Sequence, residues 1–244
     1  MRVQFVGSGD AFGSGGRYQT CIHLSGRGQM MLADCGATSL TALKAQRLDP
    51  GAISAVAVTH LHGDHFGGLP FLILDGQFSR RTAPLLIAGP PGTAARLTQA
   101  METLFPGSSR ARRRFTVQVT ELTPDGTPAQ LGAAIVRGWQ VEHPSGAPPL
   151  ALRIELGGTT FAYSGDTAWT PVLAEAARHA DLFAAEAHTY DQPVPYHLNY
   201  QTLREHLADI QASRTVLTHM SASMLARLAD TDIPAAYDGM TTDL

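Results

Sequence analysis

Four residues able to ligate metals fall within six positions of this 244-residue chain: His60, His62, Asp64 and His65, in Thr59-His60-Leu61-His62-Gly63-Asp64-His65-Phe66-Gly67-Gly68. Neutral imidazole and carboxylate together suit zinc, manganese or iron. His60 and His62 are two apart, so in an extended segment they point the same way. Asp64 and His65 follow as the chain turns, and neighbours there can address a second ion. Gly63, Gly67 and Gly68 are expected to let the backbone pass close to the ions, where a side chain would collide. Three more candidates stand where apolar runs end: His143 after residues 135–141, Asp166 after 161–163 and His219 after 216–218. A buried strand that ends in one His or Asp needs something to offset the desolvation of that group. The seven residues form two sets: His60, His62 and His143 for one ion, Asp64, His65 and His219 for the other, with Asp166 bridging.

The composition fits this chemistry. Ten histidines stand in a chain with only 16% charged residues. A net charge of −3 argues against a broadly cationic nucleic-acid wrapper, while leaving room for a local phosphate site. Two cysteines, Cys21 and Cys35, cannot make a disulfide-dense scaffold, and 44% hydrophobic content excludes a disordered chain. No window approaches the roughly 18 consecutive apolar residues of a membrane span, and the opening residues lack a secretory leader pattern. The expectation is a soluble, cytoplasmic protein with reduced thiols. There is no G-x-S-x-G elbow and no phosphate-binding P-loop, so neither a covalent acyl-enzyme nor nucleoside-triphosphate chemistry is indicated.

The elements that must position these residues can be read from hydrophobic period and turn residues. Strands are predicted at 3–6, 21–24, 29–32, 53–59, 84–88, 115–120, 133–141, 150–156, 160–163, 182–186 and 215–218. Helices are predicted at 38–47, from 67 to 74, from Gly92 to Phe105, from Pro171 to His179 behind a Thr170 cap, and at 200–210. Hairpin turns fall at Ser25-Gly26-Arg27-Gly28 and Gly157-Gly158, and residues 7–16 form a glycine-rich loop. No repeat or linker divides the chain, so residues 1–244 are read as one domain. Strands alternating with helices imply the α/β class in an α+β layered form: an αββα sandwich of two mixed β-sheets flanked by helices.

Other polar residues compete for roles. His197 lies in the proline-bearing loop Pro193-Val194-Pro195-Tyr196-His197-Leu198-Asn199-Tyr200, where it is either functional or simply flanks a helix. Glu186 ends a predicted strand and could orient a ligand histidine from behind. His188 is a weaker competitor for the role of His197. His23, His179 and His206 read as ordinary strand and helix residues. Arg110-Ala111-Arg112-Arg113-Arg114 is the one basic cluster; it reads as solvated surface, with attraction of a phosphorylated substrate as the alternative.

The motif from His60 to His65 resembles the H-x-H-x-D-H hallmark of the metallo-β-lactamase superfamily of binuclear metal hydrolases. Within it the chain looks most like the ribonuclease Z and phosphodiesterase branch. The segments carrying that likeness are Phe5-Val6-Gly7-Ser8-Gly9-Asp10, Leu86-Ile87-Ala88-Gly89-Pro90-Pro91-Gly92, Tyr163-Ser164-Gly165-Asp166-Thr167, Leu217-Thr218-His219 and Ala236-Tyr237-Asp238-Gly239-Met240. The resemblance implies a metallo-β-lactamase fold and two divalent ions, zinc first and manganese or iron as alternatives. It also implies a metal-bridging hydroxide as nucleophile, with turnover depending on Asp64 as ligand and on His197 as proton donor to the leaving group. The residues around His197 depart from the H-S-T pattern usual in ribonuclease Z. Those enzymes also carry a long tRNA-gripping arm between the equivalents of His143 and Asp166, and here that interval is too short for more than a hairpin. The expected substrate is therefore a small phosphodiester rather than tRNA. The alternatives are a carboxylic ester, lactone or thioester, as in the glyoxalase II and lactonase branches, or ribonuclease Z-type cleavage of RNA. Related enzymes are often dimeric, which leaves a homodimer as one state the resemblance allows.

Overall fold

Residues two apart on a strand share a face, and that rule decides the layers of this protein. In the computed structural model, which describes residues 1–244, Val3 and Phe5 of β1 (Arg2–Gly7) enter one buried cluster and Val6 enters another. On β3 (Gln29–Ala33), Met31 and Ala33 side with the first cluster and Leu32 with the second. The first cluster fills the space between two sheets, meeting Leu152 and Ile154 of β9 (Leu150–Leu156) and Phe161 and Tyr163 of β10 (Thr159–Tyr163).

The first sheet has the order β13-β1-β2-β3-β4-β5-β6, with β2 at Cys21–Gly26, β4 at Ala55–Ala57, β5 at Leu85–Gly89, β6 at Val117–Glu121 and β13 at Thr241–Asp243. Its pairs are antiparallel from β13 to β3 and parallel from β3 to β6. The second sheet has the order β12-β11-β10-β9-β8-β7, with β7 at Ala129–Leu131, β8 at Ala134–Gln140, β11 at Leu182–Glu186 and β12 at Thr215–Thr218. Helices α1 (Ser39–Ala45), α3 (Leu69–Phe78) and α4 (Thr93–Leu104) cover the outer face of the first sheet through Leu43, Leu69, Ile73, Leu97 and Met101. Helices α5 (Val172–Ala177) and α6 (Tyr200–Glu205) cover the second through Leu173, Ala176 and Leu203. The result is the expected αββα sandwich of mixed sheets. Phe161→Ala removes a fully buried ring from between the sheets. It is expected to lower stability by about 3–5 kcal/mol, seen as a fall in the urea midpoint at unchanged slope.

Several expected boundaries move, each for a local reason. The strand expected at 53–59 shortens to Ala55–Ala57: at its start the Ile53 amide donates to the Pro50 carbonyl (3.3 Å), and after Val58 the Thr59 amide is taken by the Asp34 carboxylate (2.7 Å) rather than by a neighbouring strand. The helix expected from 67 to 74 is α3, which starts at Leu69 and runs on to Phe78, and a separate one-turn helix, α2 (Gly63–Phe66), precedes it. The helix expected at 200–210 breaks at His206 into α6 and α7 (Leu207–Ile210). There the His206 ring stacks on Trp169, 3.9 Å apart and 5° from parallel. The helix after Pro171 stops at Ala177, not His179. The short strands β7 and β13 and the helix α8 (Ala222–Leu225) have no counterpart among the predicted elements. Both hairpin turns occur as expected, with positive φ at Arg27 (49°) and Gly28 (74°) and at Gly157 (68°) and Gly158 (84°), the pattern of a tight primed turn.

Candidate metal centre

Open sheets place their crevices at the carboxyl ends of strands, and the polar residues of this protein gather there. Asp34 follows β3, His60 and His62 follow β4, and His143 follows β8. Asp166 follows β10, Glu186 ends β11 and His219 follows β12. Asp34 (φ 59°), Tyr196 (φ 64°) and His219 (φ 56°) take left-handed backbone, which costs about 1–2 kcal/mol at each non-glycine residue.

His60, His62 and His143 make a triangle, each ring centroid 4.9 Å from the other two. Beside it, Asp64 Oδ2 lies 3.2 Å from both His65 Nε2 and His219 Nε2. Asp166 spans the two groups: its Oδ1 is 3.2 Å from His65 Nε2 and 3.4 Å from His219 Nδ1, and its Oδ2 is 4.0 Å from His60 Nε2. All seven residues singled out in the sequence are thus brought together. Within the three-histidine set, and within the set of Asp64, His65, Asp166 and His219, the ligand atoms lie within 4.8 Å of one another.

The hydrogen bonds behind these residues fix their tautomers. Asp34 Oδ2 accepts from His65 Nδ1 (2.6 Å) and from the Thr59 hydroxyl (2.8 Å). Having given its one proton to Asp34, Thr59 Oγ1 accepts from His60 Nδ1 at 3.0 Å. His143 Nδ1 donates to the Tyr196 carbonyl at 3.1 Å. With Nδ1 of His60, His65 and His143 engaged in this way, the Nε2 atoms of all three face the centre. Asp34, which anchors a histidine of each set, was missed in the sequence. Its signal was the one used for Asp166, a lone Asp at the end of an apolar run, in Met31-Leu32-Ala33-Asp34. Removing such a carboxylate typically costs 10–100-fold in metal affinity. Asp34→Asn is accordingly expected to lose zinc to a competing chelator at about 10–100-fold lower chelator strength, with its circular dichroism unchanged.

Glu186 is buried and held by two backbone amides, Thr167 N (2.9 Å) and Leu198 N (3.1 Å), both on Oε2. Its Oε1 accepts from His197 Nδ1 at 2.5 Å and lies 3.3 Å from His219 Nδ1. It thus meets His219, one of the candidate ligands, and also His197, a contact that residue type and spacing do not announce. His188 stacks on His197 with centroids 4.6 Å apart. Of the remaining histidines, His23 is buried on β2 and His206 packs on Trp169. In the basic run, Arg110, Arg112 and Arg114 are exposed and Arg113 is bonded to the Ser108 carbonyl.

The electrostatics of the two sets differ. Burial, then the charge of His65, pushes His60 well below the usual imidazole range. Burial works the same way on His65 and His219, but Asp166 and Asp64 overcome it. His65 stands well above its ordinary value and His219 is pushed up to about 10. Burial would raise Asp64 and Asp166, yet the facing histidines hold both below the usual carboxylate range. Four buried carboxylates thus meet no Lys or Arg, and their salt-bridge partners are histidines alone. His60 Nε2 and Asp166 Oδ1 are buried without a hydrogen-bond partner. Unpaired nitrogen and carboxylate donors converging in an anionic pocket fit divalent cations.

A Cβ on Gly68 would meet the Gly36 carbonyl oxygen at 2.2 Å, and one on Gly67 would meet the Gly63 carbonyl oxygen at 2.5 Å. Gly63 has nothing within 4 Å. Gly67 and Gly68 thus let backbone pack on backbone, while a Cβ on Gly63 would stand clear of other protein atoms.

A family model described as Anti-Pycsar protein Apyc1 matches residues 1–233. The chain belongs to that family. This Apyc1-family chain is 25% identical to Ribonuclease Z of Methanosarcina acetivorans over 274 aligned positions, covering 91% of the chain and 88% of the relative. Those positions outnumber the 244 residues of the chain, so the relative carries inserted segments that are absent here. Human tRNase Z, short form (ELAC1), superposes with a TM-score of 0.81 at 26% identity, covering all of this chain and 99% of that one. The metallo-β-lactamase fold protein YhfI from Bacillus subtilis superposes at 0.79 with 18% identity and 99% coverage of both. The Apyc1-family chain is therefore a metallo-β-lactamase fold hydrolase of the ribonuclease Z-like branch. No helix in it is long and apolar enough to cross a membrane.

Proposed function

We propose that the protein is a binuclear metal-dependent phosphodiesterase acting on a small phosphate ester. The observation that carries this reading is the pair of clusters, His60–His62–His143 and Asp64–His65–Asp166–His219, with Asp166 facing His60 across them and members of both lining, with His197, one cavity of about 340 Å³. That volume is at the low end of small-molecule sites, about 300–1,000 Å³. His60, His62, His143 and Asp166 would hold one ion, and Asp64, His65, His219 and Asp166 the other, with zinc first and manganese or iron as alternatives. When bound, two such ions make a water nucleophilic near neutral pH and neutralise charge developing on phosphoryl oxygens.

The chain's own groups supply the rest. Asp34 and Thr59 hold the His60 and His65 rings so that Nε2 faces inward. Glu186, itself clamped by backbone amides, binds Nδ1 of His197, which leaves the opposite ring nitrogen to carry a proton to the departing oxygen. The interval from His143 to Asp166 is taken up by one loop and the β9–β10 hairpin. That leaves no segment there for a tRNA-gripping arm and favours the small ester over tRNA.

Purified protein should carry about two transition-metal ions per chain by elemental analysis. Offered bis-p-nitrophenyl phosphate, a thioester, a lactone and precursor tRNA side by side, it should turn over the diester fastest. Faster cleavage of thioester or lactone would move the assignment to carboxylic ester chemistry, and a preference for precursor tRNA would move it to RNA cleavage. Protein that holds no metal and stays inert after zinc or manganese addition would remove the hydrolase altogether.

A further inference from the structure

Phe12 is the most exposed large apolar side chain in the molecule, at 90%, and it stands on a tightly built loop. Asp10 Oδ1 accepts from the Phe12 amide (3.2 Å) and the Ser14 amide (2.9 Å), and Asp10 Oδ2 accepts from the Ser14 hydroxyl (2.7 Å). Gln19 Nε2 donates to the Ala11 carbonyl at 3.0 Å on the other flank. At the base of the loop, Asp238 accepts from the amides of Ser8 (2.9 Å) and Tyr18 (2.8 Å). The chain turns directly after Phe12 at Gly13, whose φ of 68° any larger residue would resist. An aromatic ring is thus displayed in water on a fixed support.

Its location gives the reason. Phe12 lines the same cavity of about 340 Å³ as Asp64, Asp166 and His197, and the other apolar lining residues are only Ala11 and Val194. The lining is thus polar and ionic apart from a small apolar part dominated by one ring. After a phosphoryl group, that volume leaves space for about one ring system.

We infer that Phe12 is a specificity-determining residue, its ring packing on a planar aromatic ring carried by the ester while the phosphoryl group lies against the ligand sets. The inference rests on the phosphate-ester reading of the site. Stacked or edge-on rings attract beyond simple area burial, and base-on-aromatic contacts tolerate many ring types. A substrate whose arms are purely aliphatic would leave Phe12 in water and gain little from it.

The test is equilibrium binding of phenylphosphonate and methylphosphonate to the zinc-loaded protein by calorimetry. The wild-type protein should prefer the phenyl compound by about tenfold, equivalent to about 1.4 kcal/mol. Phe12→Ala should bring that preference within about twofold and leave methylphosphonate binding unchanged, while Phe12→Trp should retain it. Equal binding of both compounds by the wild type, an unchanged preference in Phe12→Ala, or no binding of either compound overturns the inference. Turnover of bis-p-nitrophenyl phosphate is measured separately. A protein that prefers phenylphosphonate and cleaves no diester keeps the role of Phe12 and loses the phosphodiesterase reading.

Discussion

Asp166→Ala is expected to empty both ion sites and lower kcat/KM by at least about 10⁴-fold, roughly 5.4 kcal/mol of transition-state stabilisation. The expectation follows from its two oxygens facing different histidines, Oδ1 toward His65 and His219 and Oδ2 toward His60. No other carboxylate touches both sets. Asp64 contacts only His65 and His219 among the candidate ligands, and it lies away from the His60–His62–His143 triangle. Asp64→Ala should therefore also abolish turnover while keeping about one ion per chain in the three-histidine set. Elemental analysis of the two variants separates the cases: content well below one ion per chain for Asp166→Ala, about one for Asp64→Ala. Two ions retained in Asp166→Ala would show that it does not bridge. Because both substitutions remove a negative charge from an anionic pocket, neither is expected to unfold the protein, and matching circular dichroism is the control.

Much of this candidate centre is legible in the sequence because its residues obey a local rule. His60 to His65 are compressed into one stretch, and His143, Asp166 and His219 each end an apolar run, which is an odd place for a polar group. Asp34 obeys the same rule at the end of Met31-Leu32-Ala33, but it faces no candidate ion directly. Its importance lies in bonds to Thr59 and His65, which are 25 and 31 positions away. The Glu186–His197 contact was hidden for a similar reason. It depends on the loop after β11 folding back so that the Leu198 amide reaches Glu186, and nothing in residue type or spacing announces that return. Tertiary contacts also overruled local pattern in the fold. The apolar run at 53–59 reads as a full strand, but capture of the Thr59 amide by Asp34 ends it early. A smooth helical pattern at 200–210 breaks where His206 finds Trp169. Gly67 and Gly68 of the hallmark motif make close approaches to the backbone at Gly63 and Gly36, contacts that no sequence period encodes.

His197→Ala should separate good leaving groups from poor ones. A general acid contributes about 10²–10⁴-fold where the departing oxygen needs a proton, so the loss in kcat should reach that range for an alkyl phosphodiester. A p-nitrophenolate leaves without protonation, and for its esters the loss should stay below about tenfold. A histidine that only shaped the cavity would depress both substrates alike, so the ratio between them is the informative measurement. Glu186→Gln refines the point. The amide oxygen can still accept from His197 Nδ1, but it carries no charge to stabilise the imidazolium, so an intermediate loss confined to the alkyl ester is expected. Glu186 Oε1 also lies 3.3 Å from His219 Nδ1, so this variant is informative only when its metal content matches the wild type. If the alkyl ester then falls while the p-nitrophenyl ester holds, the proton reaches the leaving oxygen from His197 with Glu186 behind it; if both fall together, the pair serves ligand geometry and the acid must be sought elsewhere, with His188, stacked on the same ring, the first residue to substitute.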